Sequence, residues 1–290
     1  MSEKLSRRSF LKRTLWTLGT TAAIGSGGYN YANKLEPKWV EVTNRTLSHP
    51  QIPPALYGMT IAQFSDTHIG FQYTLQELEN IVERITDYQP DLIVFTGDLL
   101  DEPNKYDNPE RVVPILKKLS APLGTFAIYG NHDHGGYGTD LYAQLMQQSG
   151  FSLLQNESVR IDANSTSFWM GGLDDAMLGR PDIKAVADHM PSDGFRLLLS
   201  HAPDVAVAAK RFGFHIQLSG HSHGGQVKLP FVGALVKPPL AEEYYEGSYE
   251  VGEGEPLYLY VNRGLGTTRL PFRFLARPEL TFFTLDKEKR

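Results

Sequence analysis

From about residue 57 the chain alternates apolar strand-like runs with amphipathic helical runs, and this rhythm limits its fold more than any other feature. Residues 59–65 (MTIAQFS) read as a strand. Residues 75–87 place Leu75, Leu78, Ile81, Val82 and Ile85 at helical spacing. Residues 91–96 (DLIVFT) are a continuous apolar run, the kind of strand buried on both faces. A second helix is predicted over 111–119, a third core strand over 123–129 and another helix over 140–149. Such a β-α-β-α-β-α order implies parallel strands with helices packed on them.

The second half is richer in strand. Short strands are expected at 151–154, 158–161, 167–171, 195–199, 215–218, 226–229, 243–249, 257–262 and 280–285, with helices near 183–189 and 205–211. No internal repeat or low-complexity tract interrupts them. The expected architecture is α/β: a four-layer α-β-β-α sandwich of two mixed sheets, one domain over residues 57–290.

What precedes the body reads differently. Residues 1–33 hold a basic stretch, a mildly apolar run from Leu15 to Ile24 and a Gly/Ser tract (Gly25, Ser26, Gly27, Gly28) expected to break any helix. Ser6-Arg7-Arg8-Ser9-Phe10-Leu11-Lys12 resembles the twin-arginine export signal at each of its seven positions. The apolar run is short for a membrane span, which needs about 20 residues. The segment is either cleaved or kept as an anchor, and the alternative to a signal is a solvated basic tail. Export would place the protein at the outer membrane face, cell wall or periplasm, with the twin-arginine translocase as a partner. That route carries folded proteins and suits one that loads a cofactor first. Residues 34–56 read as a linker leading into a first strand near 39–47.

Five short blocks carry the chemistry: Asp66-Thr67-His68, Gly97-Asp98-Leu99-Leu100-Asp101, Gly130-Asn131-His132-Asp133, His201-Ala202-Pro203 and Gly220-His221-Ser222-His223. Each follows an expected strand. Residues at i and i+2 of an extended strand point the same way, so Asp66 with His68, and His221 with His223, are expected to converge. Strand carboxyl ends are where α/β sheets bind ligands. The donor set (Asp66, His68, Asp98, Asn131, His201, His221 and His223) is too large for one tetrahedral zinc. It suits two divalent cations about 3.5–4 Å apart sharing a carboxylate. Nitrogen and oxygen donors favour Zn, Mn or Fe over Ca. The chain has no cysteine, which excludes thiolate sites, disulfides and a cysteine nucleophile.

In this order and spacing the blocks resemble the signature motifs of the calcineurin-like metallophosphoesterases. Tyr129-Gly130-Asn131-His132-Asp133-His134 with Gly135-Gly136, His221-Ser222-His223-Gly224-Gly225-Gln226 and Val261-Asn262-Arg263-Gly264-Leu265-Gly266 resemble its YkuE/YaeI-type branch over nearly the whole chain. That branch usually has Thr where Ser222 stands, between two donors. The resemblance implies that Asp66, His68 and His223 bind one metal, that Asn131, His201 and His221 bind the other, and that Asp98 bridges them. It implies a metal-bridging hydroxide as nucleophile and His132 as the residue that hydrogen-bonds the phosphoryl oxygen and protonates the leaving oxygen. Asn131 would fill a coordination place without adding charge. Asp133 is a candidate to orient His132, Asp101 reads as a turn residue, and Arg263 is a candidate phosphate contact. Tyr244, Tyr245 and Tyr249 fit a specificity wall or an edge strand equally well. Lone histidines are usually structural, and His49, His134, His189 and His215 are read so.

The expected activity is hydrolysis of phosphate esters, diester or monoester, at the cell envelope, on an envelope lipid or wall-polymer phosphate. The alternatives are a protein phosphatase and a catalytically silent metal-bearing wall protein. Residues 1–40 carry seven Lys/Arg and two Glu in a chain of net charge −5, so the body is acidic. No nucleic-acid partner is expected of such a body.

Overall fold

The computed structural model describes residues 6–135 and 138–287. Lys4 of the basic stretch and Gly136 of the third block lie outside them. The first sheet contains β1 (Glu41–Ser48), β2 (Thr60–Phe64), β3 (Leu92–Phe95), β4 (Thr125–Ala127), β5 (Ser152–Leu153) and the last strand, β14 (Glu279–Asp286), in the order β1-β14-β2-β3-β4-β5. Its pairs are parallel except β14 with β2. The second sheet contains β6 (Glu157–Ala163), β7 (Thr166–Gly172), β8 (Arg196–Leu199), β9 (Ile216–Ser219), β12 (Gly247–Val251) and β13 (Leu257–Val261), in the order β12-β13-β9-β8-β7-β6. It is parallel at its centre and antiparallel at both ends. A separate antiparallel ribbon joins β10 (Lys228–Leu229) and β11 (Gly233–Ala234).

The strand period explains the layers. In β3, Leu92 and Val94 point at the second sheet, and Ile93 and Phe95 point at helices. The layer between the sheets adds Ile61, Phe168, Met170, Leu197, Leu199, Ile216 and Leu218. Helices α2 (Leu75–Tyr88), α3 (Val113–Leu116) and α5 (Thr139–Gln148) cover the first sheet, and α6 (Ile183–Asp188) and α7 (Ala206–Arg211) cover the second. The α-β-β-α sandwich expected from sequence is therefore present. Helix α2 shows the local causes. Leu78, Ile81, Val82 and Ile85 are buried, each stabilising by about 1.5–3 kcal/mol. Thr74 and Glu77 cap its first turn reciprocally, and Gln89 ends it in the left-handed region.

Three segments differ from expectation. The helix predicted over 111–119 is a 3-10 turn, Pro109–Val112, followed by α3. Pro114 is tolerated only in a first turn, so the helix starts at Val113. The strand expected at 243–249 lies at Gly247–Val251. The Gly/Ser tract does not break the first helix, α1 (Arg7–Asn30), which runs through it with no buried residue. A glycine costs a helix about 1 kcal/mol but keeps its N–H donor, unlike proline.

The segment after α1 packs on the body. The ring of Tyr29 meets Phe272 edge-on at 5.4 Å, and Tyr31 meets Phe274 at 6.1 Å. The Ala32 carbonyl accepts from Arg273 N–H at 2.8 Å, and the buried Glu36 carboxylate accepts from Ala276 N–H at 2.6 Å. Among the described residues no helix is long and apolar enough to cross a membrane.

Candidate metal centre

The donor residues are not on extended strands. Asp66 (φ 51°), His68 (φ 44°), Asp98 (φ 62°), His221 (φ 72°) and His223 (φ 51°) all have left-handed backbone. The i, i+2 alternation expected for Asp66/His68 and His221/His223 is therefore corrected: tight turns beyond the strands aim these side chains. Non-glycine residues there cost on the order of 1–3 kcal/mol each. Cross-links between the loops hold them. Asp66 N–H donates to the Gly97 carbonyl at 2.9 Å, and the Asp66 carboxylate accepts from His221 N–H at 3.0 Å. Glycine is required where the loops touch: a Cβ at Gly220 would collide with Ser65 and Asp66, and one at Gly130 with the Asp98 carboxylate.

Asp133 supplies the strongest of these links. Its Oδ2 accepts from Asp98 N–H and Gly130 N–H, both at 2.8 Å, and its Oδ1 from Leu99 N–H at 3.0 Å. It sits in the short helix α4 (Asn131–His134) and turns back onto that helix's start. It does not orient His132, as the sequence had suggested; its oxygens are committed to backbone donors. Burial and the neighbouring Asp98 push its pKa up to about 7 against those three donors.

Asp66, His68 and His223 cluster, as do Asp66, Asp98 and His201, and Asp98 also lies within reach of His68. His68 Nε2 lies 3.0 Å from His223 Nε2, and His223 Nε2 lies 3.5 Å from Asp66 Oδ1. Asp98 Oδ2 is 3.4 Å from His68 Nε2 and 3.3 Å from His201 Nε2. The His221 ring is 4.9 Å from that of His201. His132 also approaches the first group, edge-on to His68 at 4.5 Å.

Neighbouring acceptors set each imidazole tautomer. His201 Nδ1 faces the Thr96 carbonyl at 2.7 Å and must donate, which leaves the Nε2 lone pair for the site. His68 Nδ1 faces Asp101 Oδ1 at 3.1 Å, freeing its Nε2. His221 Nε2 faces the Pro239 carbonyl at 2.9 Å, so its Nδ1 carries the lone pair. Two buried atoms here, His201 Nε2 and Asn131 Oδ1, have no hydrogen-bond partner among the described residues. Orphaned acceptors beside two carboxylates and opposed imidazole nitrogens fit a divalent cation.

The charges agree. Burial works against ionised Asp98, but His201, His132 and His68 outweigh it and hold its carboxyl well below the usual range. Burial and His201 lower His221 to about 4, and burial, His68 and Arg273 lower His223 further below its ordinary value. Both are therefore neutral bases near pH 7, the form a metal needs.

Asp101 is the residue that sequence reading undervalued. Its carboxylate accepts from His68 and, at 3.0 Å, from the Thr268 hydroxyl, and its carbonyl accepts from His132 Nδ1 at 2.6 Å. Its place three residues beyond Asp98 was the available signal. Asp101→Ala is expected to cost about 10–100-fold in metal affinity or turnover, and Asp101→Asn less, because an amide oxygen still accepts. Metal titration of both variants checks this.

Arg263 does not line the cavity at the site. Its Nε donates to Glu279 at 3.1 Å and its Nη2 to Glu41 at 2.8 Å, so two carboxylates occupy the fork. Arg273 was missed. It is fully buried behind His223, donating to the carbonyls of Gly264, Gly266 and Ala276.

His134 is structural, as expected, with Nε2 2.7 Å from Asp174 Oδ1. Burial lowers its pKa, but the bond to Asp174 outweighs it and the net shift is upward. The pair's contribution is complete below the unfolded histidine pKa of about 6.5 and fades as pH rises through the higher folded value. The Tm advantage of wild type over His134→Gln is accordingly expected to shrink on raising the pH. An advantage independent of pH would contradict the pairing.

A cavity of about 580 Å³ opens at the site. Asp98, Asn131, His132, His221 and His223 form one end, and Leu235, Val236, Leu270, Phe272 and Phe274 line the rest.

Comparison with known proteins shows the family. The model of the family described as calcineurin-like phosphoesterase matches residues 59–225. The metallophosphoesterase YkuE of Bacillus subtilis is 45% identical over 98% of both chains. The UDP-2,3-diacylglucosamine pyrophosphatase LpxG of Chlamydia trachomatis is 30% identical over 86% of this chain and 90% of that protein. The phosphodiesterase YaeI of Escherichia coli is 28% identical over 97% of this chain and 99% of that one.

Proposed function

This chain belongs to the calcineurin-like phosphoesterases, and on that premise we propose that it hydrolyses phosphate esters with two divalent metal ions at the cell envelope. It is a metal-dependent phosphoester hydrolase by family. The finer reading assigns Asp66, His68 and His223 to one ion, Asn131, His201 and His221 to the other, and Asp98 to both. The observation that supports it is that His201 Nε2 and Asn131 Oδ1 are buried without a hydrogen-bond partner among the described residues, with His201 Nε2 3.3 Å from Asp98 Oδ2 and 4.0 Å from Asp66 Oδ1. A single ion held by Asp66, His68 and His223 would leave them without partners.

Bound there, divalent ions would offset phosphate charge and lower the pKa of a water toward about 7. The protein's own groups do the rest. His132 Nδ1–H is held by the Asp101 carbonyl, and its backbone N–H by Asp98 Oδ1 at 2.8 Å. Burial lowers its pKa, but Asp98 and that carbonyl outweigh it and the net shift is upward. A His132 whose protonated form is favoured, at the cavity end, suits donation to a phosphoryl oxygen and then to the leaving oxygen. The apolar walls exclude bulk water and strengthen these interactions.

The test is metal content together with turnover of chromogenic monoesters and diesters by the purified chain. Two ions per chain with hydrolysis of either ester is expected. Two ions per chain and no turnover would favour the silent metal-bearing alternative. For location, Arg7→Lys with Arg8→Lys is expected to leave the protein in the cytoplasm, read by cell fractionation; unchanged export would refute the address.

A further inference from the structure

We infer that the β10–β11 ribbon and the 269–275 loop dock on an anionic lipid bilayer, so that the cavity takes its phosphate ester from the membrane with an apolar tail along its wall. This rests on the hydrolase reading above and adds to it the class of substrate and the surface that delivers it.

The ribbon's tip is Pro230-Phe231-Val232, and Phe231 is 110% exposed, so it packs on nothing in the chain. Val232, Leu235, Val236, Leu270 and Leu275 are exposed around it. Contiguous exposed apolar side chains of this size mark an interaction surface. The tip is held in place beside the cavity: Lys228 N–H donates to the Phe274 carbonyl at 2.8 Å, and Leu235 N–H to the Val227 carbonyl at 3.0 Å. Leu235, Val236 and Leu270 belong both to this surface and to the cavity wall, so the apolar path is continuous from outside to the metal end.

The charge around it favours lipid over a second copy of an acidic protein. Residues 226–241 contain two lysines and no carboxylate, and residues 266–277 contain three arginines and none, in a chain of net charge −5. Lys228 is paired with Glu246 and Arg273 is buried. That leaves Arg269 exposed at this rim, with Lys237 exposed but donating to the Glu242 carbonyl at 2.9 Å and lying over the Tyr245 ring, while Arg277 is stacked on Trp39. Glu242 and Glu243, the next acids in the chain, are exposed, so the cation-only stretch ends there. Apolar side chains ringed by cations suit an anionic bilayer surface. No described helix spans a membrane, so the attachment is interfacial.

The experiment uses the full chain, metal-loaded, with vesicles of phosphatidylcholine alone or mixed equally with phosphatidylglycerol. The variant is Phe231→Ser with Val232→Ser, two exposed residues outside the cavity wall. Sedimentation is expected to show wild type bound to the mixed vesicles and the variant at least about 10-fold weaker. Turnover of a water-soluble chromogenic diester should be unchanged, while turnover of a phosphodiester lipid embedded in the vesicles falls with binding. Equal binding by both proteins overturns the inference. So does a wild-type dimer, seen by light scattering without vesicles, that the variant lacks. Vesicle binding without hydrolysis of any ester would sink the hydrolase reading alone. Soluble-ester hydrolysis without vesicle binding would sink the docking alone.

Discussion

Asp98→Asn is expected to bind one metal ion or none per chain and to lose on the order of 10³-fold or more in turnover. Asp98 lies 3.4 Å from His68 and 3.3 Å from His201, with its charge strongly favoured by three histidines. Asparagine keeps an oxygen for His132 N–H and leaves the Asp133 links to the loop untouched. What the substitution removes is the negative charge that two cations would share. Near-UV circular dichroism separates this from unfolding, and elemental analysis reads the metal directly. A folded Asp98→Asn protein with two ions and near-wild-type turnover would show that Asp98 is not the bridge. Stability is expected to fall only in metal-containing buffer, because a ligand that binds the native state alone stabilises by mass action.

His132→Ala is expected to keep both ions and lose about 10²–10⁴-fold in kcat. The loss should be largest for esters with a basic leaving group and small for those whose leaving oxygen needs no proton. The pH profile adds a sign. An acid must be protonated, so wild-type activity should fall as pH rises through a His132 pKa shifted above the ordinary histidine value. The variant should lack that limb. Loss of metal instead would place His132 among the ligands, a role its position beside His68 and Asp98 makes chemically available.

The layers were legible because their cause is local and repeated. Residues 75–87 show one apolar face, and residues 91–96 are apolar throughout, so helix and buried strand follow from period alone. Segments failed where one residue overrode the period. Pro114 cut a helix short. Expected strand 226–229 shrank to Lys228–Leu229, because Gly224, Gly225 and Gln226 take positive φ and Pro230 follows. The donor identities were legible for a similar reason: Asp, His and Asn recur directly after strand-like runs, where an apolar core has no use for them.

The roles of several neighbours were not legible, because they depend on partners far away in the chain. Arg263 looked free for phosphate beside its glycines. Its fork is filled by Glu41, 222 positions away, and by Glu279 on β14. Asp133 looked like a partner for His132, and only the approach of the Gly97–Leu99 loop turns it toward backbone donors. By itself the sequence determined the layered fold, the candidate donor residues and their order, since these follow from side-chain chemistry and short-range period. The tertiary structure decided the left-handed turns that aim the donors and the carbonyls that choose each imidazole tautomer. It also joined the apolar cavity wall to an exposed ribbon. These rest on contacts between segments that range from 18 residues apart, as for His221 and Pro239, to 155, as for Asp66 and His221, and no local pattern encodes them.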